Sequence, residues 1–204
     1  MALITAAEAK ELIPGITGTS LDTSLDTSIA QAEALIADWC GYPAATPGAA
    51  KTMEDTSYTR YYEGAGGRDL VLDVWPVLSS PTPTVEDDTT LDHDGSTYLV
   101  ASSDYSVVKG TTLRLTSTST HGTWSKGVED AIKVTFTAGY ATAPDNLKRA
   151  IAELVKHLRQ GHRTQGAVST SGKGGSRTRR KESHAIPAPI RAKLGGYRLP
   201  RAIL

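Results

Sequence analysis

Ile132-Lys133-Val134-Thr135-Phe136-Thr137-Ala138-Gly139-Tyr140-Ala141-Thr142-Ala143-Pro144 runs directly into Asp145-Asn146-Leu147-Lys148-Arg149-Ala150-Ile151-Ala152-Glu153-Leu154-Val155-Lys156-His157-Leu158. The period of the apolar residues changes partway through. Ile132, Val134 and Phe136 alternate with Lys133, Thr135 and Thr137, as a strand with one buried face requires. After Pro144, Leu147, Ala150, Ile151, Leu154, Val155 and Leu158 form one helical face, while Lys148, Arg149, Glu153, Lys156 and Arg159 lie largely off it. The stretch therefore predicts a strand followed by a helix over 145–160, with Gly161 as the stop. A chain with both elements at its centre belongs to the α+β class.

Working toward the N-terminus, two more helices are expected. Thr5-Ala6-Ala7-Glu8 reads as a capping box, opening a short helix over 5–13 that ends at Pro14-Gly15. Leu25, Ile29, Ala32, Ile36, Trp39 and Cys40 recur at spacings of three and four, predicting a helix over 24–40. Ser24 or Asp22 would cap its start, and Gly41 would close it in the left-handed conformation. The stripe reads as core packing. Between residues 57 and 140 the pattern turns to short β-rich runs: 57–63, 68–74, 97–101, 105–108, 111–116 and 131–137. Lys109-Gly110 reads as a tight hairpin turn, and Trp75-Pro76 as the end of a strand. Residues 79–95, with Pro81, Pro83 and the acids Glu86, Asp87, Asp88, Asp92 and Asp94, read as a solvated excursion or a weak hairpin. The expected architecture is a small helical bundle of three main helices with a central β-rich insertion, followed by an extended C-terminal arm. The body is taken as residues 1–161 and the arm as 162–204.

At 204 residues the chain is long enough for one good core, with a tail left over. The single Phe and the long Ser, Thr and Gly stretches mean that Leu, Ile, Val, Trp and Tyr must build that core. Cys40 is the only cysteine, so an intramolecular disulfide and multi-cysteine metal sites are excluded. Residues 1–9 carry neither a basic nor an apolar leader pattern, so no secretory signal is expected. No stretch approaches the ~20 apolar residues needed to cross a bilayer. The formal net charge of zero conceals a segregation. Residues 1–155 hold ten Lys and Arg against twenty-one Asp and Glu, net −11, while residues 156–204 hold twelve against the single Glu182, net +11. An acidic body with a basic arm points to an anionic partner for the arm.

Catalytic and cofactor chemistry find no footing. Gly172-Lys173-Gly174-Gly175-Ser176 lacks the spacing and the following helix of a phosphate loop. Asp92-His93-Asp94-Gly95 resembles the start of a calcium loop but lacks its third acidic ligand and closing Glu, so an acidic turn is expected. The five histidines contain no H-E-x-x-H, and His157 and His162 fall on different helix faces. No serine sits in a G-x-S-x-G turn, and Cys40 reads as a small buried hydrophobe. No catalytic residue, cofactor or metal ligand is expected. An enzyme assembled from loops such as 87–94 is the weakest of the readings that stay open.

The tail carries the candidate site. Its partner-binding residues are taken as Arg177, Arg179, Arg180, Lys181, Ile186, Ile190, Arg191, Lys193, Tyr197, Arg198, Leu199, Arg201, Ile203 and Leu204. The cations can track phosphates and Tyr197 can stack on a base, which is the reading of a nucleic-acid-binding module. The interleaved apolar residues instead suit a peptide lying in a protein groove, and a solvated tail is the third reading. An extended arm of ~40 residues reaches up to ~130 Å, far enough to meet a neighbouring subunit or a different protein.

The order of the motifs resembles the head-tail connector, or adaptor, family of tailed phages. The pieces that carry the resemblance are the opening "ITAAEAKELI", "AEALIADWCGY", "YTRYYEG", "LVLDVWPV" with Trp75-Pro76, and "IKVTFTAGYATAPDNLKRAIAELVKHL" with Pro144, over about residues 3–160. The resemblance implies a non-enzymatic virion protein at the head-tail junction, made in the host cytoplasm. It also implies a ring of roughly twelve copies beneath the portal protein, a stopper or tail-completion protein on the other side, and a channel for DNA. No membrane partner is implied. The basic tail departs from the shorter members of that family.

Overall fold

Thr5 nucleates the first helix as its spacing to Glu8 predicts. The Glu8 N–H donates to Thr5 Oγ1 at 3.3 Å, and the Thr5 N–H donates to Glu8 Oε2 at 2.9 Å. The computed structural model describes residues 2–16, 18–19, 21–94, 97–164 and 186–199, with the backbone alone for 161–164. These fall into two units, one made of the described residues within Met1–Cys40 and Thr142–Arg198 and one of those within Gly41–Ala141 and Leu199–Leu204.

The first unit is helical. Helix α1 spans Ala6–Leu12, and Ile13 closes it by donating to the Ala9 carbonyl at 2.9 Å. Helix α2 spans Asp22–Cys40 and buries Leu25, Ile29, Ala32, Ile36 and Cys40 of the expected stripe, together with Ala37, while Trp39 is half-buried. Its start differs from expectation. Asp22 is already helical, and Ser24 Oγ donates back to the Leu21 carbonyl at 3.0 Å instead of accepting from a free amide. Gly41 follows with φ +87°, the left-handed terminator foreseen for it.

Helix α3 spans Asp145–Thr164, and Leu147, Ala150, Ile151, Leu154 and Val155 are buried while Leu158 is half-buried. It runs past Gly161, the expected stop, because a helical glycine costs only about 1 kcal/mol and the backbone continues. The arm also differs over its described part. Ala188–Leu194 forms a fourth helix, α4, followed by a 3₁₀ turn at Gly195–Tyr197. Pro187 and Pro189 fall at the helix start, where a missing N–H costs nothing. Ile190 and Leu194, four residues apart, form the buried face of α4, which packs against α3. Two apolar residues per two turns gave too little periodicity to be read in advance.

The second unit holds two antiparallel sheets. In chain order the strands are β1 (Thr56–Tyr62), β2 (Asp69–Val71), β3 (Thr84–Asp87), β4 (Leu99–Val100), β5 (Tyr105–Val108), β6 (Thr112–Leu115) and β7 (Ile132–Ala138). One sheet has the order β1-β7-β3-β4 and the other β2-β6-β5. Strand β7 alternates as its sequence demands, burying Ile132, Val134, Phe136 and Ala138. It pairs with β1 over the full length of both, from Thr56 opposite Ala138 to Tyr62 opposite Ile132. The β5–β6 turn places Lys109 at φ +54° and Gly110 at φ +64°, the two positive values a tight hairpin turn requires. Strand β2 stops at Val71, short of Trp75-Pro76. There the Trp75 carbonyl accepts a hydrogen bond from Tyr42 Oη at 2.6 Å.

The largest departure is β3. Its sequence, Thr84-Val85-Glu86-Asp87, lies inside the stretch expected to be a solvated excursion. In the structure it pairs with β7 on one side and β4 on the other. Val85, Glu86 and Asp87 are buried, and so is the following Asp88. The acids are tolerated because each meets partners from distant parts of the chain or from its own turn, as buried charges must.

Candidate assembly surface

Every described residue of the tail site can be located from α4 outward. Ile186, Ile190 and Leu199 are buried within the chain itself. Lys193 reaches back from α4 to α3, its Nζ 2.5 Å from Glu153 Oε1. Arg198 lays its guanidinium over the Trp39 ring, 4.9 Å from the centroid. Tyr197 is half-buried, and Arg191 is exposed. Arg177, Arg179, Arg180, Lys181, Arg201, Ile203 and Leu204 lie outside the described residues. The structure thus brings Ile190 and Lys193 together on the α3 side and Arg198 onto α2, while Arg191 faces outward. Glu153 and Trp39 were not foreseen as partners. They carry no motif, and only the α3–α4 packing puts them in reach.

The helical unit is further held by ion pairs at its own seams. Lys148 Nζ lies 2.5 Å from Glu8 Oε1, and Lys10 Nζ lies 2.5 Å from Asp22 Oδ1. The bonds from Lys148 and from Thr5 hold the Glu8 carboxyl down at about 2. Arg159 Nη1 donates to Ser24 Oγ at 3.3 Å.

The β unit carries thirteen acids against seven Lys and Arg over residues 41–141, net −6. Its three most acidic consecutive positions are spent internally. Glu86 accepts from Lys133 Nζ at 3.1 and 3.3 Å. Asp87 Oδ2 lies 2.6 Å from His121 Nε2 and accepts from the Ser125 N–H at 3.0 Å. Asp88 accepts from the Thr90 N–H at 2.7 Å, Thr90 Oγ1 at 2.6 Å, the Asp92 N–H at 2.8 Å and the His93 N–H at 3.0 Å. Burial by itself raises the Asp88 pKa, but these bonds together outweigh it and hold the group at about 2. The Asp92-His93-Asp94 region is therefore a turn organised around Asp88.

No three His, Cys, Asp or Glu side chains converge on a metal-sized site among the described residues. Burial pushes the Cys40 thiol up to about 11, far from a reactive thiolate. What the geometry offers instead is surface: exposed cations from α3 onward, an acidic β unit, and sheet edges.

The family model described as "Head completion protein" matches residues 2–199. No curated protein matches the chain. Among solved structures, a chain of the "Virion of native gene transfer agent (GTA) particle" is similar at 16% identity with a TM-score of 0.56, covering 98% of this chain and 92% of that one. A chain of the "Neck of empty GTA particle computed with C6 symmetry" is similar at 16% identity with a TM-score of 0.53 and the same coverage. At this identity the two likenesses establish a shared fold.

Proposed function

We propose, on the premise that this chain belongs to the head completion protein family, that it is a non-enzymatic structural subunit at the head-tail junction of a tailed phage or phage-like particle. The family match across residues 2–199 is the observation that carries the reading. In this role the folded units form a ring beneath the portal protein, a stopper or tail protein docks on the far side, and DNA passes through the centre. The neck to which the chain is similar was treated with six-fold symmetry, which supports a ring of copies; roughly twelve is the number the sequence resemblance implies.

The tail makes the portal contact. Ile186, Ile190 and Leu199 are already buried within the chain, so the contact falls to the cations: Arg191 and the cluster Arg177, Arg179, Arg180 and Lys181, with Arg201 beyond. Ile203 and Leu204 supply apolar ends for a groove on that partner. Sedimentation of the full chain with and without purified portal protein tests this. The expected result is a portal-bound complex that is lost when Arg177, Arg179, Arg180 and Lys181 are changed to Glu. Docking that survives those changes removes the tail from the contact, and failure of the unaltered chain to join portal overturns the assignment.

A further inference from the structure

The four-stranded sheet of the β unit has two open edges, and we propose that they pair with each other between neighbouring copies, β1 of one copy against β4 of the next. The inference rests on the ring reading above and deepens it by naming a seam. Among the described residues β1 pairs only with β7, and β4 only with β3. Strand β1 reads Thr56-Ser57-Tyr58-Thr59-Arg60-Tyr61-Tyr62, seven residues rich in β-branched and aromatic side chains. It contains no Pro or Lys, two of the usual devices that blunt an edge, and its one charge, Arg60, donates to the Ala44 carbonyl at 3.4 Å and lies 3.7 Å from Asp73. A bare edge of this length and composition is a template for another strand.

Strand direction selects the partner. Each pairing across β1-β7-β3-β4 is antiparallel, so β1 and β4 run in opposite directions. Copies related by rotation about a ring axis keep their strand directions relative to that axis. A neighbour's β4 beside β1 therefore continues the antiparallel alternation. The other sheet fails this test: in the order β2-β6-β5 both pairings are antiparallel, its edges run the same way, and rotation would demand a parallel junction.

The side chains at the two edges match. Tyr61 stands opposite Lys133, Lys133 opposite Glu86, and Glu86 opposite Leu99, so these four form one row on one face of the sheet. The row has a charged centre, where Lys133 meets Glu86 at 3.1 Å, and an apolar residue at each end. Tyr61 is 48% exposed and Leu99 49%, two of the six large apolar residues left open to solvent among the described residues. Joining β1 to a neighbour's β4 puts Tyr61 beside Leu99 as a cross-strand aromatic–aliphatic pair. In the adjacent row, Arg60–Val134–Val85–Val100 on the opposite face, the same junction sets Arg60 beside the buried Val100. With only Leu99 and Val100 in β4, each seam is short, and ring closure gives every subunit two of them.

Oxidative cross-linking of the full-length chain carrying both Tyr61→Cys and Leu99→Cys tests the seam, since directly opposed Cβ atoms lie within disulfide reach and Cys40 is buried. The expected result is a ladder of covalent multimers that collapses on reduction and is absent from either single variant. Covalent dimers from Tyr61→Cys alone mean that β1 meets β1, and overturn β4 as its partner. Multimers by sedimentation without a cross-linked ladder overturn the seam and leave the ring reading standing. A chain that sediments as a monomer, alone and with portal protein, overturns both. As a second measurement, Tyr61→Lys and Leu99→Lys each weaken self-association several-fold. The pair Tyr61→Lys with Leu99→Glu restores it; equal loss in the pair overturns the seam.

Discussion

Asp88 shows how one side chain can organise a turn that has no apolar content of its own. Four donors, three of them backbone amides, close on a carboxylate with no solvent exposure. Its folded pKa, about 2, lies below the ordinary carboxylate value of about 3.9 that it regains on unfolding. A depressed folded pKa stabilises the native state fully above the unfolded value, and that stability is lost as pH falls through the folded one. Asp88→Asn presents an amide donor to other donors, so thermal unfolding followed by circular dichroism should show a Tm several degrees lower at pH 7. The gap to the unaltered protein should hold down to about pH 5 and narrow between about 4 and 2. A constant gap through that range would mean that the carboxylate's charge is not what the turn uses.

At the level of elements, α4 is held by burial more than by charge. Leu194 has no solvent exposure, whereas the Lys193–Glu153 pair is about half-exposed on both sides. Leu194→Ala should therefore cost about 2–4 kcal/mol and Lys193→Ala under about 1 kcal/mol, compared by urea denaturation. The same contrast explains which elements were legible in the sequence. Strand β7 and helix α3 each bury an apolar set at a fixed period, so the pattern in the residues is the pattern in the fold. Strand β3 buries Glu86 and Asp87, whose partners Lys133 and His121 lie 47 and 34 residues away, and no local period encodes such pairs. Helix α4 has only Ile190 and Leu194 to declare it. Of the tail site, the cations are legible in the sequence, but the partners of Lys193 and Arg198, Glu153 and Trp39, are not. The edge pair Tyr61 and Leu99 becomes visible only once strand order and register are known.

For the whole molecule, the segregation of charge was plain in the sequence and governs how docking should respond to ions. If the tail's cations make the contact, raising NaCl from about 50 to 500 mM shortens the Debye length to a few ångströms and should weaken portal binding by about tenfold or more. The unfolding midpoint of the chain should move little, because its buried acids are paired inside the β unit. Portal affinity by sedimentation across that salt range checks the point, and salt-independent docking would assign the contact to apolar surface. The β1–β7 pairing also bears on how the chain is made. Thr59 and Thr135 face each other across 76 residues, so at ~5–20 residues per second β1 leaves the ribosome roughly 4–15 seconds before its partner exists. Throughout that interval both sides of this strand, rich in β-branched and aromatic residues, are bare, which makes early translation the stage at which neighbouring nascent chains are most apt to tangle.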